Sequence, residues 1–188
     1  MIGVTELRPG VAYEEDGQLF KVLSYEHIKL GRGSASIKVK VKNLRTGSVV
    51  EKSFINGARV QEASLTKKKY QYLYKDEENA IFMDEATYEQ IQIPLSILGT
   101  DVTYLKEGQP ISVLAVEEEP LAVELPPKME FSISDTGPNV KGNSASNLYK
   151  DAILENGLKV RVPLFSKVGD RVVIDTRTGE YSERAKNN

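Results

Sequence analysis

The residues of this 188-residue chain whose types and spacing best suit chemistry lie between His27 and Arg45, in HIKLGRGSASIKVKVKNLR. Lys29, Arg32, Lys38, Lys40, Lys42 and Arg45 fall in this stretch with no acidic residue among them. Such a run of cations can neutralise phosphates, and on one face it is the electrostatic footprint of a nucleic-acid contact. Ile37, Val39 and Val41 alternate with Lys38, Lys40 and Lys42, the period of a half-buried strand with a cationic outer face. Ahead of that strand stands Gly31-Arg32-Gly33-Ser34. Glycine reaches backbone angles that other residues avoid, so this reads as a tight loop with an arginine at its tip. Lys29, Lys38, Lys40, Lys42 and Arg45 are therefore the predicted RNA-binding residues. An ordinary hairpin with a lysine-rich solvent face would show the same alternation.

Other chemistry is poorly provided for. His27 is the only histidine and there is no cysteine, which rules out His-based dyads or triads, multi-histidine metal sites and thiolate chemistry. A single histidine at a strand end reads as structural. The Gly31–Ser36 segment lacks the third glycine and following helix of a dinucleotide fingerprint, and no P-loop occurs. Glu117-Glu118-Glu119 before Pro120 directs its carboxylates to alternating sides, so it reads as a solvated hairpin turn rather than an acid–base pair. A protein that is not an enzyme, with no catalytic residue, metal or cofactor, is expected.

The elements that must position the basic stretch can be read from composition and turn signals. Apolar residues make up 40% and charged residues 28%, a balance suited to packed soluble domains. The net charge of −2 is uneven. Residues 1–65 hold ten basic and seven acidic groups, residues 66–129 six and twelve, and residues 130–188 nine and eight. Because phosphates respond to the local field, the basic first segment says more than the total. Two mildly basic ends around an acidic middle predict three units. In the first, strands over Val11–Glu15 and Leu19–Tyr25 flank Asp16-Gly17, a hairpin signal. With the basic strand, Val49–Phe54 and a strand near Val60 they make a small barrel of five strands. Ser64–Lys69 reads as a polar junction. In the second unit, Tyr70, Tyr72 and Tyr74 are expected in core and inter-domain packing. Asp84 is expected to cap a short helix over Glu85–Gln90, and Pro94–Leu98 to form a helical turn stopped by Gly99. Pro126-Pro127 marks the second junction. The third unit has strands at Met129–Ile133, Ile153–Leu154, Lys159–Phe165 and Arg171–Asp175. Asn43–Gly47 and Asp175–Gly179 both end in Arg-Thr-Gly, read as shared turn chemistry rather than an internal repeat. The start MIGVTELRPG lacks the pattern of a secretion signal, and Gln90–Thr100 is too short and polar to span a bilayer. A cytoplasmic protein with no membrane partner is expected.

Several stretches, in order and at matching spacing, resemble the bacterial elongation factor P family, relatives of archaeal and eukaryotic initiation factor 5A. They are Lys29–Ala35, Lys42–Gly47, Glu51–Phe54, Gln71–Tyr74, Phe82–Asp84, Gly157 through Val162–Phe165, Gly169-Asp170 and Val173–Tyr181. The resemblance implies an all-β protein of three small β-barrel domains in an elongated L, an SH3-like domain of the KOW kind at 1–65 and OB-folds at 66–128 and 129–188. It implies a monomer bound to the rRNA of the 70S ribosome between the P and E sites, easing stalls at consecutive prolines by positioning the P-site peptidyl-tRNA. Gly31, Arg32, Gly33 and Ser34 would form the tip that approaches the peptidyl-transferase centre. Where the family often carries a modified lysine, this chain has Arg32, which excludes lysyl modification. A modifying enzyme that rhamnosylates Arg32, or an unmodified Arg32, both stay open. Gly142-Asn143-Ser144 stands where the family's codon-side loop has Gly-Asp-Thr, which leaves open an elongation-factor-P-like paralogue. From another class, a general single-stranded RNA-binding OB-fold protein could use Tyr70, Tyr72 and Tyr74 as a stacking platform.

Overall fold

The computed structural model describes residues 1–29, 35–138 and 148–186. They form sixteen strands in three sheets, with one helical turn and two short 3₁₀ segments. The first sheet contains β1 (Ile2–Gly3), β2 (Ala12–Glu15), β3 (Gln18–Ile28), β4 (Ser36–Asn43), β5 (Val49–Ile55) and β6 (Arg59–Ala63), in the order β1-β6-β2-β3-β4-β5. All its pairings are antiparallel. Alternation builds its core: Ile37, Val39 and Val41 of β4 are fully buried and pack with Tyr13, Phe20, Val22 and Leu7. Asp16 and Gly17 sit at φ 52° and 71° between Glu15 and Gln18, which face each other. Two positive φ values in a two-residue loop give the turn whose twist matches the strands it joins.

The second sheet contains β7 (Thr66–Lys75), β8 (Asn79–Asp84), β9 (Gln90–Pro94), β10 (Pro110–Val116) and β11 (Glu119–Glu124), ordered β11-β10-β7-β8-β9. The helical turn α1 (Leu95–Leu98) follows β9 and ends at Gly99 with φ 58°, as the Pro94–Gly99 pattern predicts. The helix expected over Glu85–Gln90 does not form. Asp84 Oδ1 accepts the amides of Ala86 and Thr87 at 2.8 and 3.2 Å, closing a turn that leads directly into β9. Glu117 and Glu118, at φ 50° and 69°, form the expected hairpin turn between β10 and β11.

The third sheet contains β12 (Lys128–Thr136), β13 (Tyr149–Leu154), β14 (Lys159–Pro163), β15 (Arg171–Asp175) and β16 (Glu180–Arg184), ordered β14-β13-β12-β15-β16. Its core is built on Phe131, Ile133, Leu154, Val162 and Ile174, with Tyr104 among them.

Three sheets make two compact units. The first comprises residues 1–102 and 106–124, the second residues 103–105 and 125–188. Within the first unit, Leu19 and Leu44 from the first sheet share a buried cluster with Leu114, Leu121 and Ala122 from the second. The charge boundary near residue 65 therefore separates two sheets, while packing joins them. Among the described residues no helix is long and apolar enough to cross a membrane.

Candidate functional site

The described residues of the basic stretch fall mostly on the end of β3 and on β4, which pair as an antiparallel β-hairpin. Strand β3 runs 11 residues and β4 runs 8, and they pair from Phe20↔Asn43 to Ile28↔Ser36. A register shift between Val22 and Ser24 marks a bulge near the base, which bends and twists a strand locally. At the far end Asn56 donates its amide to the Ala35 carbonyl at 3.0 Å, tying the start of β4 to the end of β5. The tip residues Gly31, Arg32, Gly33 and Ser34 lie outside the described residues, as do Gly142, Asn143 and Ser144.

The five predicted phosphate-binding cations are placed in different surroundings. Lys29 and Lys40 are exposed. Lys38 stands between two acids: Glu26 faces it from β3, and the Glu51 carboxylate of β5 pairs with its ammonium at 2.8 Å. The Glu51 hydrogen bond and charge raise the Lys38 pKa, and Lys38 in turn lowers that of Glu51. Arg45 reaches Glu119 at 3.4 Å across an exposed gap. Lys42 is turned inward. Its side chain is 12% exposed, and its Nζ donates to the Leu98 carbonyl at 3.1 Å and to Asp101 Oδ2 at 3.4 Å. The alternation of β4 puts the three lysines on one face, but α1 and the 3₁₀ segment after it take up the last of them.

Beside Lys42 on β3, Lys21 faces it in register. Burial lowers the Lys21 pKa, and Glu124 and Asp101 partly offset that effect. At the turn that follows β4, Asn43 Oδ1 accepts the Arg45 and Thr46 amides at 2.9 and 3.1 Å. Gly47 closes it at φ 75° and donates its amide to the Asn43 carbonyl at 2.9 Å. A Cβ on Gly47 would collide with the Ser96 carbonyl oxygen and lie 3.1 Å from that of Ile97. Sequence reasoning took Gly47 for a turn glycine and passed over Lys21. Their roles depend on residues roughly fifty to a hundred positions away, and no local pattern announces them.

Two further expectations meet the geometry. His27 is exposed on β3, opposite Ile37, and takes no place in the core. Of the three tyrosines, Tyr72 is buried against Phe82, with ring centroids 5.5 Å apart. Tyr70 is half-buried, with the Lys68 ammonium 5.6 Å from its ring centre. Tyr74 is 50% exposed, because a register shift between Tyr72 and Tyr74 breaks the alternation. The three rings do not share a face, so no continuous stacking platform forms. Among the described residues no cluster of three or more His, Asp or Glu side chains is arranged to hold a metal.

Comparison with known proteins covers the chain in three consecutive pieces. Family models match residues 3–60 (elongation factor P, KOW-like domain), 65–123 (elongation factor P, OB domain) and 129–184 (elongation factor P, C-terminal). Elongation factor P of Mycoplasmopsis agalactiae is 42% identical over 185 residues, covering 98% of this chain and 99% of that protein. Elongation factor P of Moorella thermoacetica is also 42% identical over 185 residues, covering 98% of this chain and all of that protein. Among solved structures, a translation initiation factor 5A from Methanococcus jannaschii is similar at a TM-score of 0.46 and 20% identity, over 63% of this chain and 87% of that one.

Proposed function

Because this chain belongs to the elongation factor P family of translation elongation factors, we propose that it binds the 70S ribosome between the P and E sites and speeds peptide-bond formation at consecutive prolines. Its partners in this role are rRNA and the P-site peptidyl-tRNA, and it acts as a monomer with domains at 1–65, 66–128 and 129–188. The β3–β4 hairpin delivers Gly31, Arg32, Gly33 and Ser34 toward the peptidyl-transferase centre. Gly142, Asn143 and Ser144 lie on the codon side. The factor donates and accepts no proton. Proline is a constrained donor and acceptor, and holding the peptidyl-tRNA in a reactive geometry can by itself remove several kcal/mol of barrier. The ribosome performs the bond formation.

The observation that carries this reading is the end-to-end likeness to proteins named elongation factor P, in a chain whose sequence sets Arg32 between the paired strands β3 and β4. A guanidinium is planar, permanently charged and able to bond phosphate or stack on a base. Small neighbours leave it room in a crowded RNA cavity. Arg32→Ala is expected to abolish rescue of a Pro-Pro-Pro reporter while folding and most ribosome affinity persist. Arg32→Lys should rescue poorly, since lysine lacks the planar fork. Intact mass of the native protein shows whether a modifying enzyme has added a sugar to Arg32. Full rescue by the alanine variant, or an effect independent of proline, would refute the proposal.

A further inference from the structure

The base of the β3–β4 hairpin is gripped at four places by the second sheet and by α1 with the 3₁₀ segment that follows it. Leu19 at the start of β3 and Leu44 just beyond β4 are buried with Leu114 and Leu121. The Lys42 ammonium donates to the Leu98 carbonyl at the end of α1 at 3.1 Å. Asp101 shares that ammonium. Gly47 brings backbone against backbone at Ser96 and Ile97, where any side chain would intrude. From Lys21 and Lys42 to Ile28 and Ser36 the hairpin then extends about 20 Å, at roughly 3.3 Å per residue. A lever of that length converts a rotation of about 5° at its base into a displacement of about 2 Å at its far end, and misplacement of even ~1 Å can cost a positioned reaction ~100-fold.

We propose that Gly47 and Lys42 are positioning residues, which fix the hairpin's angle on the second sheet and so set where its far end is delivered. The inference rests on the proposed function, but its first readout does not. The chain has no cysteine, so Glu62→Cys and Gln92→Cys, at exposed sites on β6 and β9, give a unique pair for spin labels spanning the two sheets. In this background the label distance distribution is expected to be narrow, and to broaden at least twofold with Gly47→Ala or Lys42→Met. Gly179→Ala supplies the control. It has the same φ of 75° in a turn of the same kind, but the atom a Cβ there would approach is the Tyr104 hydroxyl at 3.3 Å, on a side chain of the third sheet's core and not of the joint. It carries the same local conformational cost without touching the joint, and should leave the distribution narrow.

In proline-stall rescue, the two joint variants should lower the rate at saturating factor about tenfold or more, while the half-saturating concentration changes less than about threefold. A variant that was merely less folded would do the reverse, since unfolded molecules reduce the active concentration and leave the saturated rate intact. Lys42→Arg, which keeps a cation and its donors, should recover most of the rate. An unbroadened distribution in both joint variants, or wild-type saturated rates despite broadening, overturns the inference. Absence of any proline-dependent rescue by the unmutated protein is a different failure, and overturns the proposed function instead.

Discussion

Tyr88 occupies a backbone state that glycine holds at the equivalent position of two similar turns. In the turn Asn43–Gly47 the first side chain accepts the amides two and three positions on, and Gly47 adopts φ 75°. Asp175–Gly179 repeats this: Asp175 Oδ1 accepts the Arg177 amide at 2.9 Å, and Gly179 also sits at φ 75°. Asp84–Tyr88 is a third copy, with its fifth residue at φ 61°. In all three the next residue donates its amide to the threonine hydroxyl at the fourth position. A left-handed conformation costs a residue with a Cβ about 1–2 kcal/mol, and Tyr88, 73% exposed, has little packing to offset it. Glycine would return about 0.4–1 kcal/mol through the greater freedom of the unfolded chain. Tyr88→Gly is therefore expected to stabilise the β8–β9 hairpin by about 0.5–1 kcal/mol, seen as slower hydrogen exchange of its amides. Equal or faster exchange would contradict this. Two copies of the turn were legible through their shared Arg-Thr-Gly. The third was hidden because Tyr88 gives no turn signal, although Asp84 and Thr87 already supply the hydrogen-bonding groups.

At the scale of elements, legibility followed periodicity and failed where two structures use the same local bonds. β4 was readable because its buried and exposed residues alternate strictly. β16 was not, since Glu180–Arg184 is almost wholly exposed and carries no apolar alternation. Asp84 was identified as a capping residue, and the hydrogen bonds expected of a cap are present. A helix N-cap and a side-chain-closed turn both use them, however, and β9 takes up the chain that a helix would need. This turn makes an acid-sensitive element. The Lys68 ammonium pairs with the buried Asp84 carboxylate, and with the Ala86 and Thr87 amides it holds the Asp84 pKa down to about 2. In the unfolded chain the group titrates near 3.9. Between those values the unfolded state binds more protons, so stability is complete above about pH 4 and lost as pH falls toward 2. Asp84→Asn should make the melting temperature of the first unit less steeply dependent on pH in this window. A slope equal to that of the unmutated protein would place the acid sensitivity elsewhere in that unit, with Asp76, whose pKa the Asn79 and Glu78 amides also lower, the next group to test.

At the scale of the whole molecule, the all-β class and three-sheet organisation were legible in turn signals, strand periods and the uneven charge. The joining of the first two sheets was not, because Lys42 meets Leu98 and Asp101 more than fifty residues away. Under the proposed function, that joint changes which cations are left to meet rRNA. A phosphate-binding surface drawn from sequence includes Lys38, Lys40 and Lys42 equally. In the folded chain Lys42 is taken up by Leu98 and Asp101, and Lys38 is flanked by Glu26 and Glu51. Among the described residues of β3, β4 and the stretch between them, Lys29 and Lys40 are the exposed cations. Each phosphate contact contributes about 0.7–0.9 to the slope of log affinity against log salt. Replacing Lys29 and Lys40 together by alanine should thus flatten the slope of ribosome binding by about 1.5. Lys38→Ala should change it by less, since removing the lysine also releases Glu51 from its ion pair. Lys42→Ala should leave the slope unaltered, because the side chain it removes faces protein. Titrations at several salt concentrations would separate these cases. An unaltered slope in the Lys29/Lys40 variant, or a flattened one in Lys42→Ala, would move the RNA-facing surface away from the exposed face of this hairpin.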